Sequence, residues 1–214
     1  MNMLLRVEEV SKSFGKKQVL ERVSLFVDKG EVVGLVGHNG SGKTMLLRAI
    51  IGSMRLQGGQ VFLEEQPVVF NQPLPIDVGV IIENPDFIPH FTGLENLVYL
   101  ASIKDQYQED LTMKLLKDID LYQHKDTQVK NYSLGMRQKL AIVQAMMEDQ
   151  KLVLLDEPTN GLDKDSVEAF MSLVTEMKAQ GKGFLIASHD QHLIDQVADH
   201  VYEISDGRIV GGQR

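Results

Sequence analysis

The sequence predicts an α/β fold with a mostly parallel sheet, an N-terminal antiparallel β-layer and a helical insertion subdomain. Three observations predict it. Short, nearly continuous apolar runs at residues 31–36, 77–83, 151–156 and 183–188 suit strands buried on both faces of a parallel sheet. Helical patterns at 43–51, 164–177 and 190–198 separate those runs, which is the alternation that parallel strands require. The first thirty residues alternate apolar and polar side chains instead, the period of strands with one buried face.

Taken in order, Leu5, Val7 and Glu9, then Val19, Val23, Leu25 and Val27, read as two antiparallel strands joined near residues 14–17. The run at 31–36 opens the parallel sheet and leads through a glycine-rich loop into the helix at 43–51. From about 84 to 149 the sequence reads as helices and loops with no strong strand. After the run at 151–156, helix, strand and helix follow, and residues 200–205 and 208–210 flank the turn signal Asp206-Gly207 as a hairpin. We read residues 1–214 as a single domain. Residues 1–83 and 150–214 form its core and β-layer, and 84–149 its helical subdomain.

Composition narrows the function classes. The chain has 214 residues, 43% apolar and 24% charged, enough to bury a full core without staples. Zero cysteines exclude disulfides, thiolate metal sites and a Cys nucleophile. No run approaches the roughly 20 apolar residues of a membrane span, and acidic residues in the opening segment oppose a signal peptide. We therefore expect a cytoplasmic chain that meets a membrane only through a protein partner. Thirty acidic against twenty-two basic residues give a net charge of -8, which opposes nucleic acid as a partner.

Two motifs carry chemistry. Gly37-His38-Asn39-Gly40-Ser41-Gly42-Lys43-Thr44 fits the phosphate-loop pattern G-x-x-x-x-G-K-[S/T], with a strand before it and a helix after it. Glycines let backbone N–H groups turn inward around a phosphate, and the helix N-terminus adds partial positive charge. Lys43 would reach the β- and γ-phosphates, and Thr44 would offer its hydroxyl to Mg²⁺. The run from Leu152 to Pro158 ends a buried strand in two acids, where an open α/β sheet presents its ligands. Asp156 suits the acid that holds Mg²⁺, and Glu157 a base that orients the attacking water. Adjacent residues on an extended strand face opposite ways, so the two can share one site only if the chain turns there. Pro158 and Gly161 make a turn plausible.

The order of these motifs resembles the ATP-binding subunit of ABC transporters over essentially the whole chain. Asn131-Tyr132-Ser133-Leu134-Gly135-Met136 sits where that family has its signature, Gly161-Leu162-Asp163 resembles the D-loop, and Ser188-His189 resembles the switch histidine. Phe14 looks like the aromatic residue that stacks on adenine, and Glu83 occupies the place of the Q-loop glutamine. Leu134, Met136 and Glu83 depart from the common pattern. With the phrases Ile82-Glu83-Asn84-Pro85 and Tyr132 to Gln138 they resemble the bacitracin and lantibiotic exporter branch. The resemblance implies a P-loop NTPase with a RecA-like core, ATP and Mg²⁺ as cofactors, and Glu83 joining Thr44 and Asp156 at the metal. It implies a head-to-tail dimer, with an identical or similar subunit, in which Ser133, Gly135 and Asp163 complete the partner's ATP site. It implies transport driven through integral membrane subunits at the cytoplasmic face of the cell membrane. His189 would contact the γ-phosphate, and some of Phe87, Ile88 and Phe91 would be exposed for the membrane subunit. Two other functions fit the motifs: a soluble ABC ATPase without transport, and a slow nucleotide-dependent switch.

Overall fold

The computed structural model describes residues 3–83, 86–104, 106–148 and 150–213; Asn84 and Pro85, within the 82–85 phrase, and Asp149, near the end of the helical stretch, lie outside the described residues. Strands β1 (Met3–Phe14) and β2 (Lys17–Asp28) form the antiparallel hairpin, with Phe14 opposite Lys17 at its tip. Their layer is wider than the sequence suggested. Strand β4 (Gly58–Leu63) pairs with β1, and the two-residue β5 (Gln66–Pro67) pairs with β4, giving the order β2-β1-β4-β5. Two opening glycines and only two inward apolar residues, Val61 and Leu63, left β4 without a strand signature.

The second sheet comprises β3 (Val32–Val36), β6 (Val78–Ile81), β7 (Leu152–Asp156), β8 (Gly183–Ser188), β9 (His200–Ser205) and β10 (Arg208–Gln213) in the order β10-β9-β3-β8-β7-β6. All neighbours are parallel except β10, which returns antiparallel to β9. Side-chain alternation assigns each strand to two cores. Val153 and Leu155 face helix α4 (Leu134–Met146) and helix α5 (Lys164–Ala179) in one cluster. Leu152 and Leu154 face Leu46, Leu47 and Ile50 of helix α1 (Lys43–Ile50) in the other, where α1 lies between the two sheets. This double burial is why the runs at 151–156 and 183–188 read as continuously apolar.

Helices α2 (Gly93–Ser102), α3 (Glu109–Asp118) and α4 fall between β6 and β7. Thr92 starts α2 with a capping box completed by Glu95, and Ser133 caps α4 by accepting from Met136 N at 3.2 Å. The helical region joins the sheet through a close approach: a Cβ built on Gly79 of β6 would lie 1.8 Å from the carbonyl oxygen of Ala145 on α4. Helix α6 (Gln191–Val197) is capped by Asp190, which accepts from His192 and Leu193 N–H groups. In the β9–β10 turn, Gly207 N donates to Ser41 O at 2.8 Å and Gly207 O accepts from Glu21 N at 2.7 Å. Among the described residues, no helix is long and apolar enough to cross a membrane.

Candidate functional site

The loop of residues 37–42 carries the chain from β3 into α1 at the C-terminal end of the parallel strands. Gly42, at φ +116°, carries the loop into α1 in a conformation that costs a residue with a Cβ dearly. Gly37 is held by contact instead, since a Cβ there would lie 2.3 Å from Ile204 O. Lys43 is only 6% exposed; its Nζ donates to Gly37 O at 2.7 Å and to His38 O at 3.4 Å. Its ammonium therefore sits within the ring of loop carbonyls, ready to exchange them for phosphate oxygens. His38 turns its Nδ1 to Asn39 O at 2.9 Å, while Ser41 Oγ is buried without a hydrogen-bond partner in the protein.

Thr44 Oγ1 donates to Asp156 Oδ2 at 2.5 Å, so the last residue of the loop motif and the end of β7 meet. Burial is the main reason that the Asp156 carboxyl titrates above its ordinary value, and the neighbouring charges of Glu157 and Glu83 add to it; the Thr44 hydroxyl and Lys43 act against the rise. Between the ordinary value and the raised one, the folded chain keeps a proton that the unfolded chain has lost. Stability therefore falls as pH rises through that window and stays lowered above it. Asp156→Asn keeps an oxygen for the Thr44 hydroxyl and removes the buried charge. We expect it to melt about 2–4 °C above the wild type at pH 7, a gain on the order of 1 kcal/mol, with the difference vanishing near pH 4. Melting curves at both pH values check this, and equal midpoints at pH 7 would count against a charge-burial penalty.

Glu157 solves the strand-end problem by its backbone. At φ +49° it is left-handed, and its N–H donates to Ala187 O at 2.8 Å on the neighbouring strand. A non-glycine residue in that region stores roughly 1–3 kcal/mol of strain, a cost met repeatedly at functional sites. The turn brings the carboxylate beside Asp156 instead of onto the opposite face. Glu157 Oε1 lies 3.5 Å from Lys43 Nζ, and Oε2 lies 2.8 Å from His189 Nδ1 and 3.3 Å from both Ser188 Oγ and His189 N. His189, at the end of β8, is thus oriented by the acid it accompanies.

The loop and the two acids line a cleft of about 470 Å³, and His189 reaches it only through its contact with Glu157. Its phosphate end holds Gly40, Gly42, Lys43, Thr44, Asp156 and Glu157; its other end holds Phe14, Lys17, Gln18, Val19 and the turn residues Asp206 and Gly207. Phe14 is 55% exposed, with its ring 5.0 Å from Lys12 Nζ, and offers a free face for a planar base. The set of one hydroxyl and one carboxylate fits a small hard cation that keeps most of its shell for water and phosphate. Among the described residues, no three His, Asp or Glu side chains converge as a ready-made metal cluster. Glu83 stands apart. Its carboxylate is 61% exposed and pairs with Arg48 at 2.7 Å, and it reaches Asp156 only through its field.

Ser133, Gly135 and Asp163 do not join this cleft. They line a second one, of about 370 Å³, in which Gly135 lies so close to Gly161 O that a Cβ would come within 2.8 Å. Leu134 is 62% exposed at its edge and packs on Gly161. Asp163 caps α5, and its bonds from the Ser166 hydroxyl and N–H hold it below the usual carboxylate range. Gln138 links this region to the acids by donating to Pro158 O at 2.8 Å from a buried position. Sequence reading passed over Gln138, Arg48 and the Asp206-Gly207 turn as site residues. Asp206-Gly207 signalled a turn but not its place in the cleft, and Arg48 falls four residues after Thr44 on one helix face.

Fold and site define a class of nucleotide hydrolases in which a phosphate loop joins a parallel strand to a helix and a strand-end acid pair faces it. The sequence pattern of the ABC transporter family matches residues 20–160. An uncharacterised ABC transporter ATP-binding protein of Bacillus subtilis, YdbJ, is 37% identical over 209 residues, spanning 96% of this chain and 68% of the relative. The bacitracin transport ATP-binding protein BcrA of Enterococcus faecalis is 32% identical across 98% of this chain and 69% of its own. The lantibiotic transport ATP-binding protein SrtF of Streptococcus pyogenes is 28% identical across 97% and 89%. A solved ATP-binding subunit of an ABC transporter superposes with a TM-score of 0.86 at 28% identity, covering 98% of this chain and 89% of that one. The chain belongs to the ABC transporter family, as an ATP-binding and ATP-hydrolysing subunit that powers a separate membrane subunit.

Proposed function

We propose that the chain holds Mg²⁺ through Thr44 and Asp156 and pairs head to tail with an identical or similar subunit around two ATP molecules. From the cytoplasmic face of the membrane it drives an exporter of peptide antibiotics or similar molecules. The observation that carries the hydrolytic part is the left-handed Glu157, which sets a carboxylate against Lys43 and His189 beside Asp156. Mg²⁺, when bound, supplies charge neutralisation on the phosphates. The chain's own contributions are the Lys43 ammonium, the loop N–H groups, the Glu157 carboxylate that orients water and the His189 ring that Glu157 orients. Ser133 and Gly135 favour the head-to-tail pairing, because they begin a helix yet lie outside their own chain's cleft; a second subunit could use that helix N-terminus as a phosphate clamp. The bacitracin and lantibiotic relatives support the export reading by their names alone.

The membrane partner fits an apolar groove on the helical region. Phe87 is half-buried against the core and Ile88 is half-buried beside Asn96, which hydrogen-bonds its backbone; Phe91 is exposed and packs edge to face on Tyr99, next to Val98. The exposed surface therefore runs along α2 more than along residues 87–88. Replacing Val98 and Tyr99 together by Ser is expected to abolish co-purification with the membrane subunit while basal phosphate release stays within about twofold of wild type. The test of the whole reading is phosphate release from Mg-ATP together with capture of an integral membrane protein by the tagged chain. Turnover without such a partner would favour a soluble ATPase.

A further inference from the structure

Arg48 is the side chain whose role the nucleotide site leaves unassigned. It lies four residues beyond Thr44 on α1, so the two project from one helix face about a turn apart, about 6 Å along the axis. Its Nη2 meets Glu83 Oε1 at 2.7 Å. Glu83 stands two residues past β6, where the sheet passes into the helical region, and its backbone is left-handed at φ +62°. Helix face and strained loop thus bring a guanidinium and a carboxylate together one turn beyond Thr44, whose hydroxyl meets Asp156, and near enough for the Glu83 charge to be felt at the Asp156 carboxyl. Both partners are partly exposed, at 40% and 61%, so the pair is weak enough for a divalent cation to displace.

We infer that Arg48 is a positioning residue: it holds the Glu83 carboxylate on α1, one turn beyond Thr44, and competes with a divalent cation for that carboxylate. The inference rests on Thr44 and Asp156 as the cation's holders. The guanidinium holds the carboxylate on α1 through Oε1 and offsets its charge, so removing Arg48 leaves Glu83 freer to turn and more strongly attractive to the cation. Glutamine at this position would lack the charge on which such a competition depends. The pair accordingly gives a role to the residue at which the chain departs from the family's usual amide.

The experiment is a titration of Mn²⁺ with the full chain and a non-hydrolysable ATP analogue, free Mn²⁺ being read by electron paramagnetic resonance. Four proteins are compared: wild type, Arg48→Gln, Glu83→Gln and the double variant, with Arg48→Lys as the charge-keeping control. Arg48→Gln is expected to tighten Mn²⁺ roughly two- to fivefold where Glu83 is present, the scale of an exposed ion pair, and less in the Glu83→Gln background. Arg48→Lys is expected to stay within about twofold of wild type, which separates loss of the pair from damage to α1. Equal tightening in both backgrounds would reduce Arg48 to a bare positive charge and overturn the competition, as would no tightening at all. Wild-type protein that takes up analogue but no Mn²⁺ would overturn the Thr44–Asp156 assignment itself.

Discussion

Glu157→Gln is expected to bind ATP and to hydrolyse it at least about 10²-fold more slowly, the usual scale for loss of a general base. The amide keeps the size of the side chain and can still meet His189, so the turn after β7 and the cleft persist. What it lacks is the negative charge that polarises water and balances Lys43, 3.5 Å away in the wild type. Without hydrolysis, ATP remains between the two subunits. Light scattering should then find a dimer in Mg-ATP and a monomer in its absence. Single-turnover phosphate release near the wild-type rate would remove Glu157 from the reaction.

The largest loss of stability is expected at a residue with no chemistry. Gly79 of β6 faces Ala145 of α4, and one added methyl would sit 1.8 Å from that residue's carbonyl oxygen. Backbone bounds both sides of the contact, so no rotamer can relieve it; the strand or the helix must move. Gly79→Ala should cost about 3 kcal/mol, the upper end for overpacking, and lower the melting temperature by about 6–12 °C. The change separates α4 from the sheet, so ATPase should fall too, through Gln138 and its bond to Pro158. A midpoint within about 2 °C of wild type would mean that the two elements are not in this contact.

What could be read from the sequence follows from burial. Strands β3, β7 and β8 are covered on both faces, so their apolar runs marked them almost to the residue. Helices α1 and α5 announced themselves through their helical apolar spacing, and α1 also through the glycine-rich loop that begins it. Strand β4 escaped because half of it is glycine and polar, and β5 because two residues carry no period. In the site, Lys43, Thr44 and Asp156 were legible because each is fixed by its place in a local motif. The turn after Asp156 was signalled by Pro158 and Gly161, but its left-handed form at Glu157 was not, since an L-residue takes that conformation only under restraint from elsewhere, here the bond to Ala187 O on β8. The Arg48–Glu83 pair was hidden for a similar reason: their partnership depends on how far β6 and α1 are offset, which no local spacing records.

The hydrogen bond from Gly207 N to Ser41 O gives the phosphate loop a debt to a distant stretch of chain. During synthesis, residues 37–44 leave the ribosome early, yet the turn that braces them arrives after β9 has been made. The loop's closing contact is among the most non-local in the molecule, and such contacts form late. ATP is therefore expected to add little to the folding of the residues made before the hairpin, because the bond that braces its cradle forms only when the hairpin docks. A nascent chain halted before residue 207 should be sensitive to protease whether or not nucleotide is present, and one extended past the β9–β10 hairpin should gain protection on adding Mg-ATP.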